Sequence, residues 1–147
     1  MDPDSRTGPA SAGIPDVIVA DRAWRRMAPR LEMLVRRAAA LGGGAGSVLL
    51  ASDAEVRRLN WLYRGKNKPT NVLTFEGGDI AVASGVVRRE ARAAGKTVAQ
   101  HLAHMVVHGA LHLRGHDHGG AGEARRMEMT ETRLLRRLGV PNPWRGG

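Results

Sequence analysis

Hydrophobic and polar positions change period repeatedly along this chain, and each change marks an element. Residues 14–20 (IPDVIVA) form an Ile/Val-rich run that predicts a first strand. After Asp21, placed as a cap, apolar residues recur at helical spacing (Trp24, Met27, Leu31, Leu34, Val35, Ala38), which predicts one helix to about Leu41. The run Gly42-Gly43-Gly44-Ala45-Gly46 stops it. No Gly-Lys-Ser/Thr follows and the next segment is strand-like, so this run is a turn and not a phosphate-binding loop. Residues 47–51 (SVLLA) predict a short buried strand. Ser52 with Glu55 has the capping-box pattern of a helix reaching about Tyr63.

A basic loop with a proline follows at 64–70 (RGKNKPT), then two strands at 71–75 (NVLTF) and 79–83 (DIAVA) around Gly77-Gly78. A helix is predicted over 85–94, stopped by Gly95. Thr97 with Gln100 is a second capping-box pattern, opening a helix to Leu113 that halts at Gly115. The last helix is predicted over 121–138, with Met127, Met129, Leu134, Leu135 and Leu138 as its apolar members, ended by Gly139 and Pro141. This order of strands and helices predicts an α+β fold: a single mixed domain with a small, mostly parallel sheet packed with helices. Residues 1–13 are expected to be a disordered leader, 14–139 the domain, and 140–147 a flexible basic tail.

Charge changes the picture. Lys and Arg number 23 against 14 Asp and Glu, a net charge of +9, which favours a polyanionic partner such as RNA. There are no cysteines, which excludes disulfides and thiolate metal sites. No apolar run approaches the roughly 18 residues of a membrane span, and the N-terminus lacks the basic and apolar regions of a secretory signal. A soluble cytoplasmic protein is expected.

All six histidines lie between residues 101 and 118. On a helix, His101, His104, His108 and His112 fall within an arc of roughly 80°, beside an arc of Val98, Leu102, Met105, Val106 and Leu113 that should face the core. His108 and His112 are one turn apart, so both imidazoles can reach one ion. Gly115 can reverse the chain and return His116-Asp117-His118 toward that ion. The pattern His-x-x-x-His-x-x-Gly-x-x-His therefore predicts a zincin-like metal helix with one zinc ion on His108, His112 and His118. His116 competes with His118 for the third place, and the spacing after Gly115 favours His118. His101 and His104 are expected to support the ligands or line the face.

Three neutral nitrogens leave one coordination position open, the mark of a catalytic zinc whose bound water has its pKa lowered toward 7. A zinc peptidase needs Glu after the first histidine as general base; Gly109 stands there, and a peptidase would have to take its carboxylate from Glu90 or Asp117. Arg64 opens the basic loop with Lys66 and Lys68, and its guanidinium suits bidentate binding of a phosphate. Trp61 and Tyr63 beside it can stack on bases, although Trp61 is expected in the core. Asp79 is expected at a strand end, orienting its neighbours.

The segment 108–118 (HGALHLRGHDH) resembles the signature of the YbeY family of bacterial rRNA-maturation endoribonucleases, His-Gly-x-Leu-His-Leu-x-Gly-Tyr-Asp-His, with His116 in the tyrosine place. Residues 59–75 (LNWLYRGKNKPTNVLTF) resemble that family's Leu-Asn-x-x-Tyr-Arg…Pro-Thr-Asp-Val-Leu-Ser-Phe block, Gly78-Asp79-Ile80 its Gly-Asp-Ile strand, and Glu90-Ala91 its Glu-Ala pair. The resemblance implies that His108, His112 and His118 hold the zinc and that Arg64 is the functional arginine facing them; Lys66 and Lys68, from the charge of their loop, are expected to assist substrate binding. It also implies a metal-dependent, single-strand-selective endoribonuclease that matures the 3′ end of 16S rRNA and associates with the ribosome or its small subunit. Two departures stand out: Asn71 replaces the usual Asp, and the segment between Phe75 and Gly78 is very short. The alternative functions are an RNA- or ribosome-binding assembly factor with a structural zinc and, more weakly, a zinc peptidase-like hydrolase.

Overall fold

The computed structural model describes residues 14–115 and 120–144. In chain order they form β1 (Asp16–Val19), α1 (Ala23–Met27), α2 (Leu31–Leu41), β2 (Ser47–Ala51), α3 (Asp53–Arg64), β3 (Val72–Phe75), β4 (Asp79–Ala83), α4 (Ser84–Ala93), α5 (Val98–Leu113) and α6 (Ala121–Arg136). The expected leader and the last three residues lie outside the described part, as do residues 116–119.

The four strands make one sheet in the order β1-β2-β4-β3. β1 runs parallel to β2 and β2 parallel to β4, while β3 returns antiparallel to β4 through a three-residue turn, pairing Phe75 with Asp79 and Val72 with Val82. The α+β fold with a mostly parallel sheet is therefore the one the periodicity indicated. Side chains of β4 alternate between two cores, with Ile80 and Val82 in the larger one, and Ala81 and Ala83 in a smaller one with Val56 and Leu73. Coverage of both faces is why residues 80–83 are all buried and read as a continuous apolar run.

α5 is the central helix. It touches α2, α4, α6 and strands β3 and β4, and residues 102–107 and 109–111 are all buried. Its start is fixed by a complete capping box, with Thr97 accepting from the Gln100 amide and the Gln100 side chain accepting from that of Thr97. At Ser52 only half of the box forms: its hydroxyl accepts from the Glu55 amide, but the Glu55 carboxylate binds Arg58 instead. The glycine turn after α2 is a packing device. A Cβ on Gly42 would lie 2.6 Å from that of Ala110, so only glycine lets α2 end against α5, and Arg114 ties the turn down through the carbonyls of Gly43 and Gly44.

Three local expectations are corrected. The helix expected over 21–41 is two helices, because Pro29 excludes its predecessor from the helical region: Ala28 is extended (φ −140°, ψ 115°) and Arg30 is left-handed (φ 51°). Trp61 is not in the core; it is 56% exposed, on the outer side of α3. Met129 is exposed as well, because the inward stripe of α6 runs through Met127, Glu131 and Leu135 at four-residue spacing. Residues 140–144 lie against the domain, with Val140 buried, the Asn142 carbonyl accepting from Lys96, and the Trp144 ring edge-on to His104 at 5.2 Å. Among the described residues, no helix is long and apolar enough to cross a membrane.

Candidate metal centre and basic cleft

The helical phase of α5 places the histidines as a stacked series. Ring centroids are 5.8 Å apart for His101 and His104, 6.3 Å for His104 and His108, and 4.7 Å for His108 and His112. The first three are held by carboxylates. His101 Nε2 donates to Glu90 at 2.8 Å; burial holds this imidazole below its ordinary pKa despite the carboxylate beside it. His104 Nε2 and His108 Nδ1 donate to the two oxygens of one side chain, Glu131, at 3.0 and 2.6 Å.

Glu131 lies on α6 and is 0% exposed. Burial alone would push its carboxyl up, yet the hydrogen bonds from His104 and His108 outweigh it and the group titrates below the ordinary value. Both oxygens are thus partnered, as buried carboxylates require. Among the described residues, His104, His108 and Glu131 form the one group whose donor atoms, all within 4.8 Å of one another, could hold a metal ion. Sequence reasoning passed over Glu131, although a signal was there: it sits on the apolar stripe of α6 between Met127 and Leu135, where a carboxylate is out of place unless it is paired.

His108 and His112 also line an open cleft of about 400 Å³. Arg64, Lys66, Lys68 and residues 70–74 line it too. The helix-to-loop turn after α3 uses Gly65 at φ 67°, and it leaves Arg64 exposed with Nη2 donating to the Thr74 carbonyl at 2.6 Å. The loop is tied back by Asn60, whose side-chain amide donates to the Lys68 carbonyl. Tyr63, the residue before Arg64, meets Phe75 edge-on at 5.3 Å. Five of the residues singled out from sequence therefore share one cleft. The sixth, His118, lies outside the described residues with its competitor His116 and with Asp117; the chain is described up to Gly115, which takes the expected positive φ, 90°.

Gly109, in the position of a peptidase glutamate, faces the sheet instead of the cleft. A Cβ there would meet Ile80 at 3.2 Å and Thr74 at 3.3 Å, so the site has no room for a carboxylate. Glu90 is turned away as well, lining a separate cavity of about 260 Å³ with His101 and Trp144. It accepts from His101 and from Asn71 Nδ2 at 3.0 Å, which gives the asparagine a use: an aspartate at 71 would set two carboxylates against each other. Asp79 does orient a neighbour, accepting from the Ser47 hydroxyl at 2.7 Å.

Comparison with known proteins adds to this geometry. A family model described as endoribonuclease YbeY matches residues 31–139. The chain is similar to the endoribonuclease YbeY of Gluconobacter oxydans, 51% identical over 163 aligned positions that cover all of this chain and 94% of that protein. It is also similar to the protein of that name from Alkalilimnicola ehrlichii, 45% identical over 143 positions, covering 84% and 86% of the two chains. Among solved structures it resembles TM1509 from Thermotoga maritima, with a TM-score of 0.60, 26% identity, and coverage of 85% and 89%.

Proposed function

The chain belongs to the endoribonuclease YbeY family, and from that premise we propose that it is a zinc-dependent, single-strand-selective endoribonuclease working in the cytoplasm on ribosomal RNA. In this reading it trims the 3′ end of 16S rRNA in contact with the ribosome or its small subunit. The observation that carries the reading is the common cleft of His108, His112, Arg64, Lys66 and Lys68. It is open, basic, and has imidazoles and cations facing one volume.

The donor set fits a metal. His108 and His112, with His118 from beyond Gly115, would hold one zinc ion, nitrogen donors suited to that ion. Bound there, zinc supplies Lewis acidity to a phosphoryl oxygen and lowers the pKa of water. The chain's own residues do the rest. Arg64 is fixed by the Thr74 carbonyl through one of its five N–H donors, and presents its fork to the phosphodiester, stabilising charge as it builds on the phosphoryl oxygens. Lys66 and Lys68 hold neighbouring phosphates, a contact that gives affinity without sequence preference. The exposed rings of Trp61 and Tyr63 offer stacking faces to unpaired bases, which favours single strands over duplex.

The test is cleavage of single-stranded RNA by purified zinc-loaded protein, compared with His112→Ala and with a duplex of the same sequence. Metal-dependent cleavage of the single strand, lost in His112→Ala, supports the proposal. A folded, zinc-loaded protein that binds RNA but never cuts it overturns the proposal in favour of an assembly factor with a structural metal.

A further inference from the structure

We infer that Glu131 is the positioning residue for the metal-binding histidine His108, fixing its tautomer and ring, and is not itself a metal ligand. The inference rests on the reading of His108 and His112 as ligands, and it assigns a task to a buried carboxylate that this reading leaves unused.

Distance decides between the two roles. Two ligands about 2.1 Å from one tetrahedral zinc ion are about 3.4 Å from each other. His108 Nδ1 and Glu131 Oε2 are 2.6 Å apart, and His104 Nε2 and Glu131 Oε1 are 3.0 Å apart. Those are separations bridged by a proton, well inside the spacing of two atoms sharing an ion. A carboxylate can only accept here, so the Nδ1 of His108 must carry the hydrogen. In a neutral imidazole the lone pair is then on Nε2, the nitrogen that would serve a metal in the cleft that His108 lines.

His104 explains why one carboxylate is held so well. It sits one turn before His108 on α5, is 6% exposed, and occupies the second oxygen of Glu131. The carboxylate therefore has no rotamer in which it satisfies one histidine and abandons the other without leaving a buried polar atom unpaired. α6 thus braces a cleft of which it is not a lining element: the cleft is lined from α3, the loop after it, β3 and α5. His104 is the fixed end of the brace and His108 the adjustable end that it sets.

The direct reading is the ¹⁵N shifts of the ring nitrogens in the metal-free wild-type chain, which need no variant. Protonated Nδ1 and unprotonated Nε2 on His108 are expected; protonation at Nε2 overturns the inference. Zinc affinity by chelator competition and the visible spectrum of the cobalt-substituted protein then test Glu131→Gln. A 10- to 100-fold weaker affinity with an unchanged cobalt coordination band is expected, the range for losing a histidine's supporting carboxylate. Unchanged affinity with a lowered Tm makes Glu131 a structural weld and overturns the inference. A changed cobalt band, with affinity as poor as in His112→Ala, makes it a ligand and also overturns it. If instead His112→Ala binds zinc as the wild type does, the ligand assignment underneath has failed, which separates that failure from this one.

Discussion

Gly109→Ala should uncouple stability from activity, and the sizes follow from three contacts. The new Cβ would stand 3.2 Å from both Ile80 Cδ1 and Cγ2 and 3.3 Å from Thr74 Cγ2, against about 3.5–4.0 Å for carbon atoms at ease. Helix α5 and the β3–β4 pair must therefore separate by about 0.3–0.8 Å. Alanine gains about 1 kcal/mol of helix propensity over glycine, while overpacking costs about 1–3 kcal/mol. The net loss lies between about 0 and 2 kcal/mol, a fall in Tm of at most about 8 °C for a chain of this size. Activity has no such offset. Thr74 both touches position 109 and anchors Arg64 through its carbonyl, while α5 carries His108 and His112. The same separation shifts the arginine against the histidines, and since about 1 Å of misplacement costs about 100-fold, cleavage should fall about tenfold. Ile80→Val removes one of the three crowding atoms. Alone it should cost about 0.5–1.5 kcal/mol, but in the Gly109→Ala background it should cost less and restore part of the rate. Thermal unfolding and single-turnover cleavage of single-stranded RNA measure both quantities. Wild-type cleavage together with a raised Tm would refute the reasoning, since the gap would then be slack.

Three further outcomes are expected. Arg64→Ala should lower kcat for RNA cleavage by about 10²–10³ with an unchanged Tm, since the side chain is exposed and held by a single hydrogen bond; Arg64→Lys should recover only part, and a loss confined to KM, with a shallower salt dependence, would reduce Arg64 to a phosphate contact. Trp61→Ala should leave stability within about 0.5 kcal/mol because the ring is 56% exposed, yet weaken single-strand binding by about tenfold through lost stacking. Chelation should abolish cleavage while far-UV circular dichroism stays native, because the core around α5 is built of apolar contacts that need no ion; unfolding on chelation would point to a structural metal.

Much of this molecule is written locally. Every strand, the capping box at Thr97 and the glycine stop at Gly115 follow from rules acting over one to four residues. The pairing of His108 with His112 is equally local, one turn of a helix, and the signature around it names the family. Where the local reading went wrong, a stronger local rule or a distant neighbour prevailed. Pro29 split a helix whose apolar period ran straight through it. Trp61 looked like core by residue type, but burial depends on which face of α3 packs on the sheet, and Trp61 is on the exposed side.

What only the tertiary structure decided are the meetings between segments far apart in the chain. Periodicity places a carboxylate on the inner stripe of α6 and histidines on α5, but not that Glu131 reaches both His104 and His108 across 27 and 23 residues. Nor does it show that Thr74 holds Arg64 while crowding Gly109, or that Asn71 answers Glu90. A sequence pattern records the period of each element because backbone geometry repeats within it. The relative placement of two elements is set by packing of side chains that share no period, so it becomes legible only once the sheet and helices have closed around a common core.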